Sequence, residues 1–142
     1  MMETILFADD HKNIREFCRA ALAEAGYRVV LACDGIEALE KFIAETPDLA
    51  ILDVSMPRLS GLEALEQIKG LSPDTPVILF TSHDEDCVRD HRAPLATACV
   101  AKADDLAELK QIVDRALRRP GSEGSGESPR VGLPFPATIE RA

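Results

Sequence analysis

The feature that most constrains the fold is a fivefold alternation between short apolar runs and segments with helical periodicity. The runs are Thr4–Ala8, Tyr27–Ala32, Leu49–Leu52, Val77–Phe80 and Ala98–Ala101. They are continuously apolar, which is typical of strands that are covered on both faces. Strict βα alternation favours parallel strands joined by right-handed crossovers, with a helix layer on each face. The sequence therefore predicts a doubly wound α/β fold with a five-stranded parallel sheet.

Helix-start signals support this division. In each signal, a residue that commonly caps a helix stands three positions before a glutamate. The five pairs are Asn13 and Glu16, Asp34 and Glu37, Ser60 and Glu63, Ser82 and Glu85, and Asp105 and Glu108. The fourth predicted helix, about residues 83–92, has little apolar face.

The composition changes sharply after Arg119. Residues 120–142 contain four of the eight glycines and four of the nine prolines. A segment of this kind buries too little apolar surface to offset the entropy of ordering it. We therefore interpret residues 1–119 as one folded domain and residues 120–142 as a flexible tail or linker. We interpret its apolar patch, Val131–Phe135, as part of the flexible tail, with a short docking motif or the start of a further module as alternatives.

Charge and cysteine content narrow the class of protein. The chain has 25 acidic against 16 basic residues, a net charge of −9 that opposes direct binding of nucleic acid. No apolar run approaches the roughly 20 residues that span a bilayer, and no secretory signal pattern begins the sequence. Four cysteines are scattered without a CxxC pair, and two of them lie inside apolar periodic stretches, which fits buried thiols in a reducing compartment better than a disulfide framework. These features predict a cytoplasmic protein that inserts into no membrane.

Polar residues collect where the predicted strands end. Asp9 and Asp10 follow the first strand, Asp53 the third, Thr81 the fourth and Lys102 the fifth. In open parallel sheets, ligands bind beyond the carboxyl ends of the strands, so these side chains are expected at one edge. Three neighbouring carboxylates repel one another unless a cation neutralises them. An oxygen-ligated divalent ion such as Mg²⁺ is the natural partner.

Helix capping is the simpler explanation for an aspartate after a strand. It is sufficient for Asp34 and Asp105. It does not account for Asp53, because residues 54–61 delay the next helix. An acidic pair, a third aspartate, a threonine and a lysine at successive strand ends are better explained by a common site.

Four segments resemble the receiver domain of two-component response regulators, the CheY-like superfamily. They are LFADD (6–10), LAILDVSMPRLSGLEAL (49–65), VILFTS (77–82) and the Lys102 region. The second contains the specific pattern Asp-x-x-Met-Pro-x-x-x-Gly. The resemblance covers about residues 3–118. It implies a flavodoxin-like (βα)5 fold with strand order 2-1-3-4-5 and a receiver domain over residues 1–119.

The resemblance also implies roles for the residues at the strand ends. Asp53 is expected to be the phosphoacceptor. Asp10 and Asp53 are expected to bind Mg²⁺, Asp9 to bind it through water, and Ser55 through its backbone carbonyl. The expected phosphodonor is a phosphohistidine on a sensor histidine kinase or a histidine phosphotransfer protein.

Lys102 and Thr81 are then expected to contact the phosphoryl oxygens. In the family, phosphorylation changes the face formed by the fourth helix, fifth strand and fifth helix, which binds a downstream output protein or domain. Some members also form phosphorylation-dependent dimers. Independently, Gly61 is expected to supply a backbone conformation that other residues would strain. The small Ser82 leaves room beside Thr81 for a phosphoryl group.

Two positions depart from the family pattern. Ala103 stands where proline usually follows the lysine, and we predict a trans Lys102–Ala103 bond because a cis bond without proline costs about 2.5–4 kcal/mol. Cys99 replaces the aromatic residue that takes part in switching. We expect Cys99 to be a buried, unreactive thiol, with a redox-sensitive site as the alternative.

Several residues also suggest other functions. His83, Cys87 and His91 have the spacing of a helical zinc site, but no fourth ligand is apparent, and we interpret them as polar residues on an exposed helix. His11 is expected to be a loop residue and not a general base. A phosphorylation-independent interaction module is an alternative function. A Mg²⁺-dependent phosphohydrolase would need a carboxylate where Ser55 stands.

Overall fold

One five-stranded parallel sheet forms the centre of the structure, a computed structural model that describes residues 2–82, 89–102 and 106–117. Its strands are β1 (Thr4–Ala8), β2 (Arg28–Ala32), β3 (Leu49–Asp53), β4 (Val77–Thr81) and β5 (Ala98–Ala101). They pair in the order β2-β1-β3-β4-β5, all in parallel. The predicted sheet and strand order are confirmed. β3 and β4 extend one residue further than predicted, so Asp53 and Thr81 are themselves the last residues of strands.

The described residues contain four α-helices: α1 (Lys12–Glu24), α2 (Gly35–Glu45), α3 (Gly61–Leu71) and α4 (Ala107–Leu117). Of the fourth predicted helix, residues 83–88 lie outside the described part. Residues 89, 91 and 92 form turns and Asp90 has no regular secondary structure, so the helix prediction is wrong there. The Asp90 carboxylate accepts bonds from the Arg92 backbone and guanidinium, a local pattern that competes with helix. A short 3₁₀ turn follows at Ala93–Leu95.

The central strands β1, β3 and β4 bury both of their faces, whereas the edge strand β2 is only partly buried. In β1, Leu6 and Ala8 contact the apolar cluster under α2 and α3, whereas Ile5 and Phe7 contact the cluster under α1 and α4. The same period of two continues through β3, β4 and β5. Because both faces are apolar, the runs read as continuous hydrophobic stretches in the sequence. The sheet is thereby fixed between two helix layers.

The capping predictions had different outcomes. The side chains of Asp34 and Ser60 accept hydrogen bonds from the N–H groups of Glu37 and Glu63, and Ser60 forms a complete capping box. The prediction for Asn13 is wrong: α1 starts at Lys12, and its N-cap residue, His11, makes no side-chain capping bond. The chain enters α1 so soon after β1 that Asn13 is already inside the helix. Glu85 and Asp105, each half of a further predicted pair, lie outside the described residues.

The cysteines also differ from one another. Cys18 is a buried thiol whose pKa is raised to about 12, chiefly by burial and then by Asp9. Cys33 is an exposed thiol. Cys99 is disulfide-bonded, so the expectation of a thiol there is wrong. Residue spacing misses such a bond because it depends on distance in the folded chain.

Three further expectations concern the tail, the Lys102–Ala103 bond and membrane-spanning helices. The predicted tail, residues 120–142, lies outside the described residues, as does the Lys102–Ala103 bond. No helix within the described ranges combines the length and apolar character needed to cross a bilayer.

Candidate functional site

Asp9 and Asp53 are buried side by side at the carboxyl edge of the sheet. Asp53 ends β3, and Asp9 directly follows β1, where its N–H donates to the carbonyl of Ala32. Within the described ranges, the polar or charged residues that are buried are Asp9 (0% exposed), Asp53 (4%) and Thr81 (2%). Buried carboxylates are costly unless they are paired or bind a cation. All three residues were predicted for the site from the sequence.

Lys102 joins the two carboxylates. Its Nζ lies 2.8 Å from Asp9 Oδ2 and 3.3 Å from Asp53 Oδ2, and its side chain is 12% exposed. Lys102 follows β5, and its backbone N–H donates to the Thr81 carbonyl at 2.8 Å. β5 therefore positions the Lys102 ammonium beside Asp9, which follows β1, and Asp53, which ends β3.

The charges at this edge are incompletely balanced. Burial and then the charge of Asp9 raise the pKa of Asp53 to about 6, although Lys102 opposes the rise. Burial lowers the pKa of Lys102, but its contacts with Asp9 and Asp53 raise that pKa overall. The single ammonium of Lys102 thus contacts two buried carboxylates, and Asp10 adds a third carboxylate to the site. The site can accept further positive charge.

The acidic cluster has a donor set suited to a divalent cation. Asp9, Asp10, His11 and Asp53 each offer a ligand atom, and these atoms lie within 4.8 Å of one another. Carboxylate oxygens in this number fit Mg²⁺, which usually takes one or two carboxylates with water and phosphate oxygens. His11, which was expected to be an ordinary loop residue, contributes to this cluster. Its position directly after two aspartates was the available signal.

Gly61 allows α3 to begin against the end of β3. A Cβ atom built on Gly61 would lie 2.0 Å from the backbone oxygen of Asp53. The Gly61 N–H also donates to the Val54 carbonyl at 2.9 Å. The expectation of an unusual backbone conformation here is wrong, since Gly26 is the described glycine with positive φ. The close approach of backbone to backbone is what excludes a side chain at Gly61.

The remaining predicted residues lie near this edge or outside the described part. The Ser55 N–H donates to Asp53 Oδ1 at 3.3 Å, so Ser55 adjoins the carboxylate. Ser82 follows Thr81 and is exposed. Of the hypothetical zinc ligands, His83 and Cys87 lie outside the described residues, whereas the exposed His91 contacts Asp90.

Comparison with known proteins agrees with this geometry. The family model for the response regulator receiver domain matches residues 5–114. The response regulator MprA of Mycobacterium tuberculosis is 39% identical over 131 residues, which cover 90% of this chain and 56% of MprA. The chain therefore spans a little more than half the length of such relatives.

Solved structures give the same result. The response regulator TrrA of Thermotoga maritima, in complex with Mg²⁺ and BeF, is 39% identical with a TM-score of 0.78, covering 82% of this chain and all of TrrA. TrrA in complex with the histidine kinase ThkA matches with a TM-score of 0.75 and the same coverage. A CheY-like receiver domain from Methanospirillum hungatei is 28% identical with a TM-score of 0.78, covering 87% of this chain and 100% of that one.

A parallel sheet with a buried carboxylate pair and a lysine at its carboxyl edge defines a signalling receiver. The chain belongs to the response regulator receiver domain family.

Proposed function

We propose that this receiver accepts a phosphoryl group on Asp53 from a phosphohistidine of a sensor histidine kinase or a histidine phosphotransfer protein. The observation that carries the proposal is the buried Asp53 carboxylate, 3.3 Å from the Lys102 ammonium and beside Asp9. The complexes of TrrA with Mg²⁺–BeF and with a histidine kinase support it by similarity.

The reaction transfers one phosphoryl group between two residues. An Asp53 Oδ atom attacks phosphorus, the P–N bond to the histidine breaks, and the departing imidazole takes a proton from solvent. The product on Asp53 is an acyl phosphate. Such transfers depend mainly on positioning and on stabilising charge at the equatorial oxygens. The close backbone contact at Gly61 and the bond from the Ser55 N–H hold Asp53 in place for this attack.

Bound Mg²⁺ would neutralise charge on the phosphoryl oxygens. Asp10 and Asp53 would hold it directly, Asp9 through water, and Ser55 through its backbone carbonyl. Their oxygen donors fit the ion, and Asp9, Asp10 and Asp53 already lie together. No further cofactor is required by the proposal.

Lys102 and Thr81 respond to the new group. The Lys102 ammonium, which contacts Asp9 and Asp53, is placed to pair with a phosphoryl oxygen. The Thr81 hydroxyl, at the end of the neighbouring strand, would donate to another. The hydrogen bond from the Lys102 N–H to the Thr81 carbonyl keeps the two residues adjacent at the end of the sheet.

The phosphorylated domain acts as a switch and not as a metabolic enzyme. A phosphoryl group adds roughly −1.5 to −2 charges at this edge of the sheet, which biases nearby segments between conformations. The proposed recipient is a downstream output protein or domain, with phosphorylation-dependent dimerisation as one form of output. Residues 120–142 would act as the linker or tail of this cytoplasmic switch.

Phosphorylation by a small phosphodonor tests the proposal. The protein is incubated with acetyl phosphate and Mg²⁺, and its intact mass is measured. We expect the mass of one phosphoryl group to be added, and to be absent in Asp53→Asn or with a chelator. The matched control, Asp74→Asn, removes an exposed carboxylate and should still be modified. Absence of added mass in the unaltered protein, or its persistence in Asp53→Asn, would overturn the proposal.

A second candidate is a receiver that binds its partner without phosphorylation. It is favoured by Cys99, which is disulfide-bonded at the position where the family has a switch aromatic. Partner binding by Asp53→Ala distinguishes the two functions. Undiminished binding would support the second candidate, whereas loss of regulated binding would support the first.

A further inference from the structure

The His11 side chain contacts the acidic cluster, although His11 is neither the predicted phosphoacceptor nor one of the predicted magnesium ligands. Its Nδ1 lies 3.2 Å from Asp9 Oδ1 and 3.2 Å from Asp10 Oδ1. The ring is thus held between the two aspartates that follow β1. The side chain remains 63% exposed, so ions from solvent can reach it.

The backbone fixes this position. The His11 N–H donates to Asp9 Oδ1 at 2.9 Å, and His11 is the N-cap residue of α1. The Arg15 guanidinium donates to the Asp9 carbonyl at 2.8 Å, so the first turn of α1 is bound to the same connection. The imidazole therefore cannot leave the aspartates without a rotation of its own side chain.

The separations match those between neighbouring ligands of one metal ion. With metal–ligand bonds of 2.0–2.1 Å, adjacent ligand atoms in an octahedral site are about 3 Å apart. The distances from Nδ1 to the two carboxylate oxygens, 3.2 Å each, are close to that value. The His11 nitrogen and the Asp10 oxygen can therefore bind one ion directly after small side-chain movements, while Asp9 would hold that ion through water.

We propose that His11 is an imidazole ligand of the cation site and shifts its preference from Mg²⁺ toward divalent transition metals. Mg²⁺ is a hard ion that favours oxygen, whereas Co²⁺, Ni²⁺ and Zn²⁺ bind imidazole well. The carboxylates serve either class, but the His11 nitrogen strengthens binding of only the second. The inference rests on the proposed cation site and does not require phosphorylation of Asp53.

Metal titration without a phosphodonor tests this inference. The full chain is titrated with Co²⁺ and separately with Mg²⁺, for the unaltered protein and for His11→Gln. The glutamine amide can still donate a hydrogen bond to Asp9 or Asp10 but provides no imidazole nitrogen. We expect Co²⁺ binding to weaken about tenfold or more relative to Mg²⁺ binding. The matched control is His91→Gln, which removes an exposed histidine beside Asp90.

A spectroscopic signal identifies the ligand independently of affinity. In the Co²⁺-loaded protein, a ligating imidazole gives a strongly shifted, solvent-exchangeable N–H proton resonance. This resonance should be present in the unaltered protein and in His91→Gln, and absent in His11→Gln. Its persistence in His11→Gln, or an equal loss of affinity for both ions, would overturn the proposal. Acetyl phosphate labelling of Asp53 is scored separately, so failure of one proposal does not hide the outcome of the other.

Discussion

The connections that follow β1 and β3 leave the same edge of the sheet, yet they are built differently. The first has three residues, 9–11, and leads into a helix without a side-chain cap. The second has seven, 54–60, and leads into a helix closed by the Ser60 capping box. It is also tied to α2, because a Cβ on Gly35 would lie 2.0 Å from the Leu59 oxygen and Arg58 Nε lies 3.2 Å from Asp34.

This comparison shows how an aspartate at a strand end becomes available for chemistry. After β2, Asp34 accepts the Glu37 N–H and is used as a cap. After β3, Ser60 provides the cap, so Asp53 is left to face Lys102. After β1, no side chain caps α1, and Asp9 instead accepts bonds from the His11 N–H and from Lys102. The two connections thus free their carboxylates by different means.

The largest expected effect on stability comes from removing the Lys102 ammonium, which contacts Asp9 in the first connection and Asp53 just before the second. Lys102→Met leaves the buried carboxylates of Asp9 and Asp53 without their ammonium. We expect the free energy of unfolding, measured by urea titration in chelator, to fall by about 3 kcal/mol. Added Mg²⁺ should restore more stability to this variant than to the unaltered protein. Lys110→Met, a partly exposed lysine of α4, is the control. A loss below about 1 kcal/mol would mean that the pair is no stronger than a surface ion pair.

A smaller effect is expected at the contact between α3 and β3. Gly61→Ala places a Cβ against the Asp53 oxygen, so the loop must shift. The expected loss is about 1–3 kcal/mol of unfolding free energy. Gly70→Ala is a matched control in the same helix, because a Cβ there meets nothing within 4 Å. It should stabilise the protein by about 0.4–1 kcal/mol. Equal effects at the two glycines would disprove the role assigned to the close contact.

The smallest effect distinguishes the two helix starts directly. Ser60→Ala removes a capping box, and we expect it to cost about 1 kcal/mol. Asn13→Ala removes no capping bond from α1, whose N-cap is His11. Because alanine favours helix, Asn13→Ala should be neutral or stabilising by up to about 0.5 kcal/mol. Thermal or urea unfolding of the pair measures the difference. A comparable loss in Asn13→Ala would show that both connections depend on side-chain caps.

The sequence pattern was sufficient to predict the sheet and the convergence of the site residues at one of its edges. Apolar runs mark the strands because both sheet faces are buried, and parallel strands necessarily bring their carboxyl ends to one edge. That is why Asp9, Asp53, Thr81 and Lys102 were predicted together. The strand order came from the family resemblance and not from the pattern.

Other features depend on distances that a linear pattern does not contain. The place of Asn13 was mispredicted because the length of the β1–α1 connection decides which residue caps α1. Cys99 is disulfide-bonded because of spatial proximity, which isolated spacing cannot show. The reason for Gly61 and the inclusion of His11 in the cluster likewise required coordinates.

The hydrogen bond from the Lys102 N–H to the Thr81 carbonyl bears on which residues can follow the lysine. It places the root of the lysine side chain on the sheet ladder, upstream of Ala103. The ammonium is therefore located by strand register, and the residue that follows need not be proline to keep it near Asp9.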